Sequence, residues 1–361
     1  MKDSHHEKQT ATSFISANSE QGFFSLYDTV FDKRRYERIF IITGGPGTGK
    51  SSLLRKIRAD IAEHEVEIEE ILCSSDPHSL DGLILTHGDR RVGILDGTPP
   101  HGRIPTSPAV IEEIWNLGAF WNGEQIRKEK EKILALTEKK SASYMRAYDL
   151  LHALGSVKKE ERRALLPAFE MEKAKRQIRH KLQPLHLHGE RRTRFLRSFS
   201  SAGEHLIPLE EDVQNLLLIS GKESAAEIYL SLFADTIHDL KLSHTLFLSP
   251  LSPDFPDAIY IEENKTLLIK EGLAQKTLRG RRIIADRFFH NLPEQAKERQ
   301  KLEQGLKASA LAELKNAASA HKEIEAYYSS AMDFHALSLF TENALQEVLE
   351  ALGITSGNSE C

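Results

Sequence analysis

A short glycine-rich segment carries the clearest chemical signal in the sequence. Residues 44–51 read Gly-Gly-Pro-Gly-Thr-Gly-Lys-Ser and fit the pattern G-x-x-x-x-G-K-[ST] at every position. Glycines lack a Cβ and can take positive φ angles, which turn successive backbone N–H groups inward around phosphate oxygens. The sequence therefore predicts a phosphate-binding loop, referred to below as the phosphate loop.

Each position of the phosphate loop has an expected role. A helix that begins directly after it would direct its free N–H groups and its positive dipole end at the same phosphates. The Lys50 ammonium is expected to bridge β- and γ-phosphate oxygens, and the Ser51 hydroxyl to bind Mg²⁺. The segment predicts binding of ATP, or another nucleoside triphosphate, with Mg²⁺. The predicted binding residues are Gly44, Gly45, Pro46, Gly47, Thr48, Gly49, Lys50, Ser51 and Ser52.

A second Mg²⁺ ligand is expected to be an acid at the end of a strand beside the loop. Asp96 follows the apolar run 92–95 and precedes Gly-Thr-Pro-Pro-His, so the strand should end there with its carboxylate at the loop-bearing edge. Asp76 and Asp81, after the preceding strand, could orient water or substrate, or could equally cap a turn. The predicted catalytic residues are Lys50, Asp96 and Asp76, with Ser51 and Asp96 as Mg²⁺ ligands.

Four further side chains after this strand have weaker signals. His101 could contact phosphate or substrate, but a single loop histidine is more often a surface residue. Trp115, Phe120 and Trp121 could stack on a base or line a cleft, and core packing is the favoured interpretation.

The elements that position these residues are predicted twice along the chain. Thr12, Phe14 and Gly22 recur 181 residues later as Thr193, Phe195 and Gly203, and the strand ending at Gly44 is echoed by one ending at Gly221. In the first copy, strands are predicted at 38–43, 66–74 and 91–95, with a helix at 50–63. Strands that alternate with helices predict a parallel sheet covered on both faces.

The fold class predicted is α/β, with two tandem P-loop NTPase-like parallel-sheet domains. The first spans 12–184 and the second 185–353, and each includes a long helical excursion, at about 123–182 and 293–352. Polar residues around Pro184 mark the predicted boundary. Residues 1–11 and 354–361 are small and polar and are expected to be disordered tails.

The second copy of the loop has lost its phosphate-binding composition. It reads Gly221-Lys-Glu-Ser-Ala-Ala-Glu-Ile, which puts Glu223 and Glu227 where a helix N-terminus would receive phosphate. This half is therefore expected to be structural or regulatory, although an unrelated ligand stays open. Arg279, Arg281 and Arg282 in this half could supply an arginine finger, or could be solvated loop residues.

Composition excludes several classes of protein. Hydrophobic residues make up 40% of the 361 residues, enough for real cores, and the net charge is −5. The two cysteines, Cys73 and Cys361, cannot build a disulfide framework, and no apolar run approaches the roughly 20 residues of a membrane span. A cytoplasmic protein without membrane insertion is expected.

One basic stretch keeps a nucleic-acid or protein partner open. Residues 158–197 hold thirteen Lys and Arg against five acids. Clustered cations on a helix can bind phosphate backbones, but solvated helices are the favoured interpretation because no nucleic-acid-binding motif accompanies the charge. His186 and His188 are two histidines without a third metal ligand, which is weak evidence for a metal site.

The phosphate loop, the phrase Cys73-Ser-Ser-Asp-Pro-His-Ser-Leu-Asp-Gly and the phrase Leu95-Asp-Gly-Thr-Pro-Pro-His resemble a group of bacterial tandem P-loop ATPase-like proteins. The resemblance covers most of the chain and implies an ATP-binding role without naming a substrate. This chain departs from the group in its second loop. The resulting prediction is an ATPase with one nucleotide site; the alternatives are a small-molecule or nucleotide kinase with Asp76 or Asp81 as base, and a non-catalytic nucleotide-responsive module.

Overall fold

The computed structural model describes residues 10–100, 102–182, 185–186, 189–208, 213–274, 279–290, 292 and 297–354. The strands are β1 Thr10–Phe14, β2 Ser16–Ser19, β3 Gly22–Ser25, β4 Arg38–Thr43, β5 Glu67–Leu72, β6 Leu80–His87, β7 Arg90–Asp96, β8 Glu112–Asn116, β9 Arg191–Phe195, β10 Arg197–Ser200, β11 Gly203–Leu206, β12 Asn215–Ser220, β13 His244–Leu248, β14 Pro256–Ile261, β15 Thr266–Lys270 and β16 Arg281–Ile284. The helices are α1 Tyr27–Val30, α2 Lys50–Ile61, α3 Gly123–Lys128, α4 Lys130–Leu165, α5 Met171–Leu182, α6 Glu223–Asp239, α7 Lys297–Ser330 and α8 Phe334–Ala351.

The chain forms two compact units. The described residues within Met1–Ser13, Tyr27–Tyr144 and Lys315–Cys361 make unit 1, and those within Phe14–Leu26 and Met145–Leu314 make unit 2. Both have α/β architecture. Within the described part of the chain, no helix combines the length and apolar character needed to cross a membrane.

The strands of unit 1 lie in the order β1–β5–β6–β7–β4–β8. β4, which precedes the phosphate loop, is parallel to β7 and β8, as predicted. β6 is antiparallel to β5 and to β7, which the prediction of a parallel sheet missed. The reason is local, because β6 and β7 are joined by a hairpin at Gly88 and Asp89, with Gly88 at φ 58°, and a short hairpin can only join antiparallel strands.

Unit 2 repeats this arrangement with its own strands. Their order is β9–β13–β14–β15–β12–β16, which matches the order of unit 1 strand for strand. β12 is parallel to β15 and β16, and β14 is antiparallel to β13 and β15. The internal similarity seen in the sequence therefore corresponds to a repeated topology.

Two short hairpins in unit 2 show the repeat at the level of single hydrogen bonds. In β2–β3, the Ser19 hydroxyl donates to the Gly22 carbonyl at 2.8 Å and accepts from the Gln21 amide at 3.0 Å. In β10–β11, the Ser200 hydroxyl donates to Gly203 at 3.1 Å and accepts from Ala202 at 3.2 Å. Both turns therefore have the same design.

The core of unit 1 explains why its boundaries differ from the predicted division at about 185. One apolar cluster joins the sheet and α2 to the apolar face of α8; its buried members include Phe40, Ile57, Leu83, Ile94, Leu337, Ala344, Val348 and Leu352. The C-terminal helix thus belongs with the N-terminal sheet, because burial of this face holds it there. Conversely, residues 14–26 belong to unit 2. Pro184 lies outside the described residues.

Candidate phosphate-loop site

The phosphate loop joins β4 to α2 in unit 1. Its backbone takes the left-handed region at Gly47 (φ 71°) and at Gly49 (φ 82°), the residue immediately before the helix. Gly49 brings no side-chain cap, so the first amides of α2 receive no side-chain acceptor from that residue. The Thr48 hydroxyl donates to the Gly45 carbonyl at 3.0 Å and ties the turn together. Positive φ angles at Gly47 and Gly49 are typical of backbone turns whose N–H groups converge on one point.

Neighbouring helices pack closely on two loop glycines. A Cβ on Gly47 would lie 2.6 Å from the backbone oxygen of Glu325 in α7, and a Cβ on Gly49 would lie 2.8 Å from the Leu337 side chain in α8. A Cβ on Gly47 would displace the backbone of α7, whereas a Cβ on Gly49 would meet the end of the Leu337 side chain, which can move. Glycine is thus required at position 47 both by backbone angle and by close approach, and at position 49 by backbone angle.

The Lys50 side chain folds over the loop. Its ammonium donates to the Gly45 carbonyl at 2.9 Å and to the Gly44 carbonyl at 3.4 Å, and lies 3.6 Å from the Asp96 carboxylate. Strand register explains the last contact, since Asp96 ends β7 opposite Ile42, two residues before the loop begins. The structure therefore brings the predicted cation and the predicted acid together.

Asp96 is buried and carries a perturbed carboxyl group. Burial raises its pKa, the Lys50 charge lowers it, and the negative charge of Asp81 raises it. Its Oδ1 accepts from the Thr98 amide at 2.8 Å and from the Thr98 hydroxyl at 2.6 Å, which leaves Oδ2 facing Lys50. Asp81, also buried, lies on β6 beside β7.

The protein oxygens near the loop suit an Mg²⁺ ion that takes most of its ligands from a bound phosphate compound and water. Ser51 Oγ, in the first turn of α2, accepts from the Leu80 amide at 3.1 Å, and Ser52 is exposed. No group of three or more His, Cys, Asp or Glu in the described residues could cage a metal ion. Mg²⁺ in nucleotide sites typically takes only one or two protein oxygens and completes its shell with phosphate and water, so Ser51 and Asp96 fit that role.

The other predicted side chains of unit 1 divide between site and core. Asp76 is exposed in a turn where its carboxylate accepts from the His78 amide at 3.2 Å. Trp115 is a core residue that stacks on Phe40 at 4.3 Å, and Phe120 packs against the same core. Trp121 lies beside the loop, 5.1 Å from the ring of Tyr328. His101 lies outside the described residues.

Sequence reasoning missed the turn of α7 that lies against the loop. The backbone oxygen of Glu325 and the backbone nitrogen of Ser329 would lie 2.6 and 3.0 Å from a Cβ on Gly47. His321, one turn earlier on α7, has its Nε2 3.7 Å from a Glu325 carboxylate oxygen. The His321–Glu325 spacing of four residues places both on one helix face, but no motif links that face to a loop so distant in sequence.

In unit 2 the corresponding strand end holds a network of buried ion pairs. Lys270 ends β15 opposite Ile219, the register position that Asp96 has in unit 1. Its ammonium lies 2.9 Å from Glu227 in α6 and 2.7 Å from Asp257 in β14. Arg162 also pairs with Glu227, at 3.0 Å.

More charges complete this network. Arg197 donates to Asp257 at 2.6 Å, and Lys158 lies 2.8 Å from Glu223. Burial raises the pKa of Asp257, but Arg197 and Lys270 outweigh it and lower that pKa to about 2. Glu223 in the first turn of α6 and Glu227 in the next turn are thus already paired with cations of unit 2.

This network accounts for part of the basic stretch. Lys158, Arg162, Arg194 and Arg197 are buried, and three of these four pair with acids of unit 2. They are therefore not presented to an external polyanion. His188 lies outside the described residues, and the backbone amide of His186 donates to Glu263 at 2.8 Å.

The three arginines of β16 and the segment before it lie in unit 2. Arg281 and Arg282 are exposed, and Arg282 pairs with Glu271 at 2.6 Å. Arg279 is among the described residues and also exposed.

The chain matches no family model, no curated protein and no solved structure.

Proposed function

We propose that unit 1 binds a nucleoside triphosphate together with Mg²⁺ and hydrolyses it, and that unit 2 is a structural or regulatory copy that binds no nucleotide. The observation that carries the proposal is the loop itself. Between β4 and α2, left-handed glycines form a nest, Lys50 lies over it, and Asp96 stands 3.6 Å from the lysine at the end of the adjacent parallel strand.

Each part of this arrangement has a role in phosphate chemistry. The amides of the loop and of the start of α2 would donate hydrogen bonds to phosphate oxygens, and the positive end of the helix dipole would favour their negative charge. The Lys50 ammonium, now on loop carbonyls, would turn to β- and γ-phosphate oxygens. Ser51 and Asp96 would hold Mg²⁺, which neutralises charge on the phosphates when bound. Asp76, on the exposed turn after β5, is the proposed residue for orienting water.

The choice of hydrolysis over a mere binding role follows from the acids at the loop edge. Burial raises the pKa of Asp96, and carboxylates held in such an environment are characteristic of functional sites. The network in unit 2 shows the contrast, because there the acids are fully paired with Lys and Arg.

The proposal is tested by binding and turnover with matched lysine variants of α2. Lys50→Ala removes a charge-assisted phosphate contact and should weaken Mg·ATP binding by about tenfold to 150-fold, equivalent to about 1.5–3 kcal/mol. Lys56→Ala is the control, because Lys56 is exposed on the same helix and pairs with Asp60. Calorimetry gives affinity, and phosphate release gives turnover.

The outcomes separate the proposed function from its alternatives. Phosphate release by the unmodified protein that Lys50→Ala abolishes supports an ATPase. Transfer that requires an added metabolite would instead indicate a kinase, and binding without turnover a nucleotide-responsive module. If ATP and GTP with Mg²⁺ produce no heat with the unmodified protein, the site assignment is wrong.

A further inference from the structure

Two aromatic side chains lie against the beginning of the phosphate loop. A Cβ on Gly45 would lie 3.2 Å from the Trp121 ring and 3.9 Å from the Tyr328 ring. The centroids of these two rings are 5.1 Å apart, with their planes inclined at 50°. Both side chains are partly exposed, and both belong to unit 1 like the loop itself. Trp121 and Tyr328, called the aromatic wall below, therefore border the loop with a partly exposed aromatic surface.

Backbone hydrogen bonds hold the aromatic wall in place. The Asn122 amide donates to the Ala331 carbonyl at 2.8 Å, and the Asp333 amide donates to the Phe120 carbonyl at 2.9 Å. These bonds join the residues on either side of Trp121 to the link between α7 and α8. A binding surface held in this way loses little conformational freedom when a ligand arrives, which favours affinity.

The indole N–H of Trp121 lacks an acceptor. Its Nε1 is buried, and no atom of the described residues accepts a hydrogen bond from it. Trp115 provides the contrast, because its Nε1 donates to a Glu347 carboxylate oxygen at 3.1 Å. Buried tryptophan N–H groups usually find a partner, since an unpaired donor has lost its hydrogen bonds to water without replacement. The unpaired donor beside the phosphate loop is therefore a candidate contact for the ligand of that loop.

The equivalent position in unit 2 has no such donor. β8 and β16 are each followed by a short 3₁₀ helix, Leu117–Phe120 and Ala285–Phe288, and then by one aromatic residue, Trp121 and Phe289. The Phe289 ring carries no N–H, and it packs on the Phe169 ring with centroids 4.9 Å apart. The copy that is proposed to bind no nucleotide thus fills this position with its own apolar contact, whereas unit 1 retains a hydrogen-bond donor.

We propose that the nucleoside part of the nucleotide, its base and sugar, binds at the aromatic wall. The base would lie against the Trp121 and Tyr328 rings, and a nucleoside oxygen or nitrogen would accept the indole N–H of Trp121. The inference rests on the proposed function and specifies where the uncharged part of its ligand binds. Aromatic rings pack on the planar face of any base, whereas the charges of Lys50 and Asp96 act on the phosphates and Mg²⁺. The wall should therefore favour nucleotides over bare polyphosphate, with little choice between adenine and guanine.

The first test compares nucleotides with a bare polyphosphate. By calorimetry, the unmodified protein should bind Mg·ATP and Mg·GTP more tightly than Mg·tripolyphosphate by about tenfold or more, because only a nucleotide reaches the aromatic wall. Trp121→Ala should bring the three affinities together by weakening both nucleotides and leaving tripolyphosphate unchanged. Trp121→Phe keeps a ring without the N–H and should give an intermediate ratio. Equal affinities in the unmodified protein, or equal losses for all three ligands in Trp121→Ala, would overturn the proposal.

Neighbouring tyrosines of α7 provide a matched control. Tyr328→Ala removes one ring of the aromatic wall and should lower the ratio of ATP to tripolyphosphate affinity several-fold. Tyr327→Ala removes a side chain of the same size near Lys132, whose ammonium lies 5.9 Å from the centre of the Tyr327 ring, and should leave the ratio unchanged. Equal effects of the two tyrosine variants on this ratio would contradict the proposal. Circular dichroism checks that every variant is folded.

The second test reads the indole N–H in the unmodified protein. Its ¹H–¹⁵N nuclear magnetic resonance spectrum should contain two indole signals, and the one absent from Trp121→Phe belongs to Trp121. A non-hydrolysable ATP analogue should move that signal to lower field, because the N–H gains an acceptor, whereas tripolyphosphate should not. The Trp115 signal should stay in place, since its N–H is already bonded to Glu347. A Trp121 signal that does not move at saturating analogue would overturn the proposal. Failure of the proposed function looks different, since the unmodified protein would then bind neither ATP nor tripolyphosphate.

Discussion

The carboxyl ends of β4 and β12 occupy the same place in two copies of one strand order, and their chemistry is opposite. In unit 1, the adjacent strand ends in an acid, Asp96, and the following helix begins with a cation, Lys50. In unit 2, the adjacent strand ends in a cation, Lys270, and the following helix carries the acid Glu227. The two signs have been exchanged across the same pair of elements.

The exchange shows what separates a ligand site from a structural core. In unit 2, Glu227 and Asp257 each have two cationic partners, so the charges of the network satisfy one another. In unit 1, the Lys50 ammonium lies on loop carbonyls and 3.6 Å from the Asp96 carboxylate. The pKa of Asp96 is raised, because burial outweighs the charge of Lys50. The charges at the phosphate loop are therefore only partly balanced by one another. An incoming phosphate and Mg²⁺ could complete that balance.

The largest effect is expected where the network of unit 2 is broken. Lys270→Ala removes one cation from both Glu227 and Asp257, which are buried, and should lower the free energy of unfolding by about 3–5 kcal/mol. Denaturant titration followed by circular dichroism measures the change. Arg282→Ala is the control, because its pair with Glu271 is exposed and should contribute at most about 1 kcal/mol. Similar losses for both variants would contradict a buried network.

A smaller effect is expected from a methyl group in the phosphate loop. Gly47→Ala combines a left-handed φ with close approach to two backbone atoms of α7, so its cost should reach the upper part of about 1–3 kcal/mol. Gly203→Ala has a similar positive φ but open space around the Cβ, and should cost about 1 kcal/mol. Thermal unfolding of both variants compares them. Equal costs would mean that α7 yields easily from the loop.

Local patterns in the sequence were sufficient to predict several strands and helices of unit 1. The predicted strand 38–43 coincides with β4, and the predicted helix 50–63 contains α2, because an apolar run, a glycine turn and a helix follow one another without interruption. β6 was missed because it opens with Leu-Asp-Gly, whose acid and glycine interrupt the usual apolar strand pattern. Asp96 could be identified because it ends an apolar run, and the strand register then brings it to Lys50.

The remaining parts of the site depend on contacts between distant segments. The backbone of Glu325 in α7 lies against Gly47, and neither residue's neighbours in sequence predict that contact. The return of α8 to the core of unit 1 was likewise invisible, since an amphipathic helix indicates that an apolar face is buried but not which core receives it. The internal repeat predicted two similar halves that follow one another along the chain. It gave no sign that residues 14–26 belong to unit 2 and that the C-terminal helix belongs to unit 1.

Acidification should destabilise unit 2 before unit 1, with an effect on stability between those of the glycine and serine variants. The pKa of Asp257 is about 2 in the folded protein and about 3.8 when unfolded, so its contribution is fully present above pH 3.8 and is lost as the pH falls toward 2. One pKa unit corresponds to about 1.4 kcal/mol, so roughly 2 kcal/mol of stability is at stake in unit 2. Asp96, at the loop end of unit 1, makes no such contribution, since the pKa of Asp96 is raised: burial there outweighs the charge of Lys50.

The tryptophans allow the two responses to be separated. Trp115 and Trp121 are the two tryptophans of the chain, and both lie in unit 1. On acid titration, the circular dichroism of the whole protein should begin to change at higher pH than tryptophan fluorescence. Coincident transitions would mean that Asp257 does not control the acid stability of unit 2.

The smallest effect is expected where the repeated segments are alike. Ser19→Ala and Ser200→Ala each remove a hydroxyl that donates to a glycine carbonyl and accepts an amide within a tight turn, so each should lower stability by about 1 kcal/mol. Because both hairpins lie in unit 2 and use the same bonds, the two losses should agree within about 0.5 kcal/mol. Denaturant titration under identical conditions is the measurement. A marked difference would mean that the surroundings of each turn, rather than its own hydrogen bonds, determine how much it stabilises the protein. The two copies would then share a topology but not the energies of their turns.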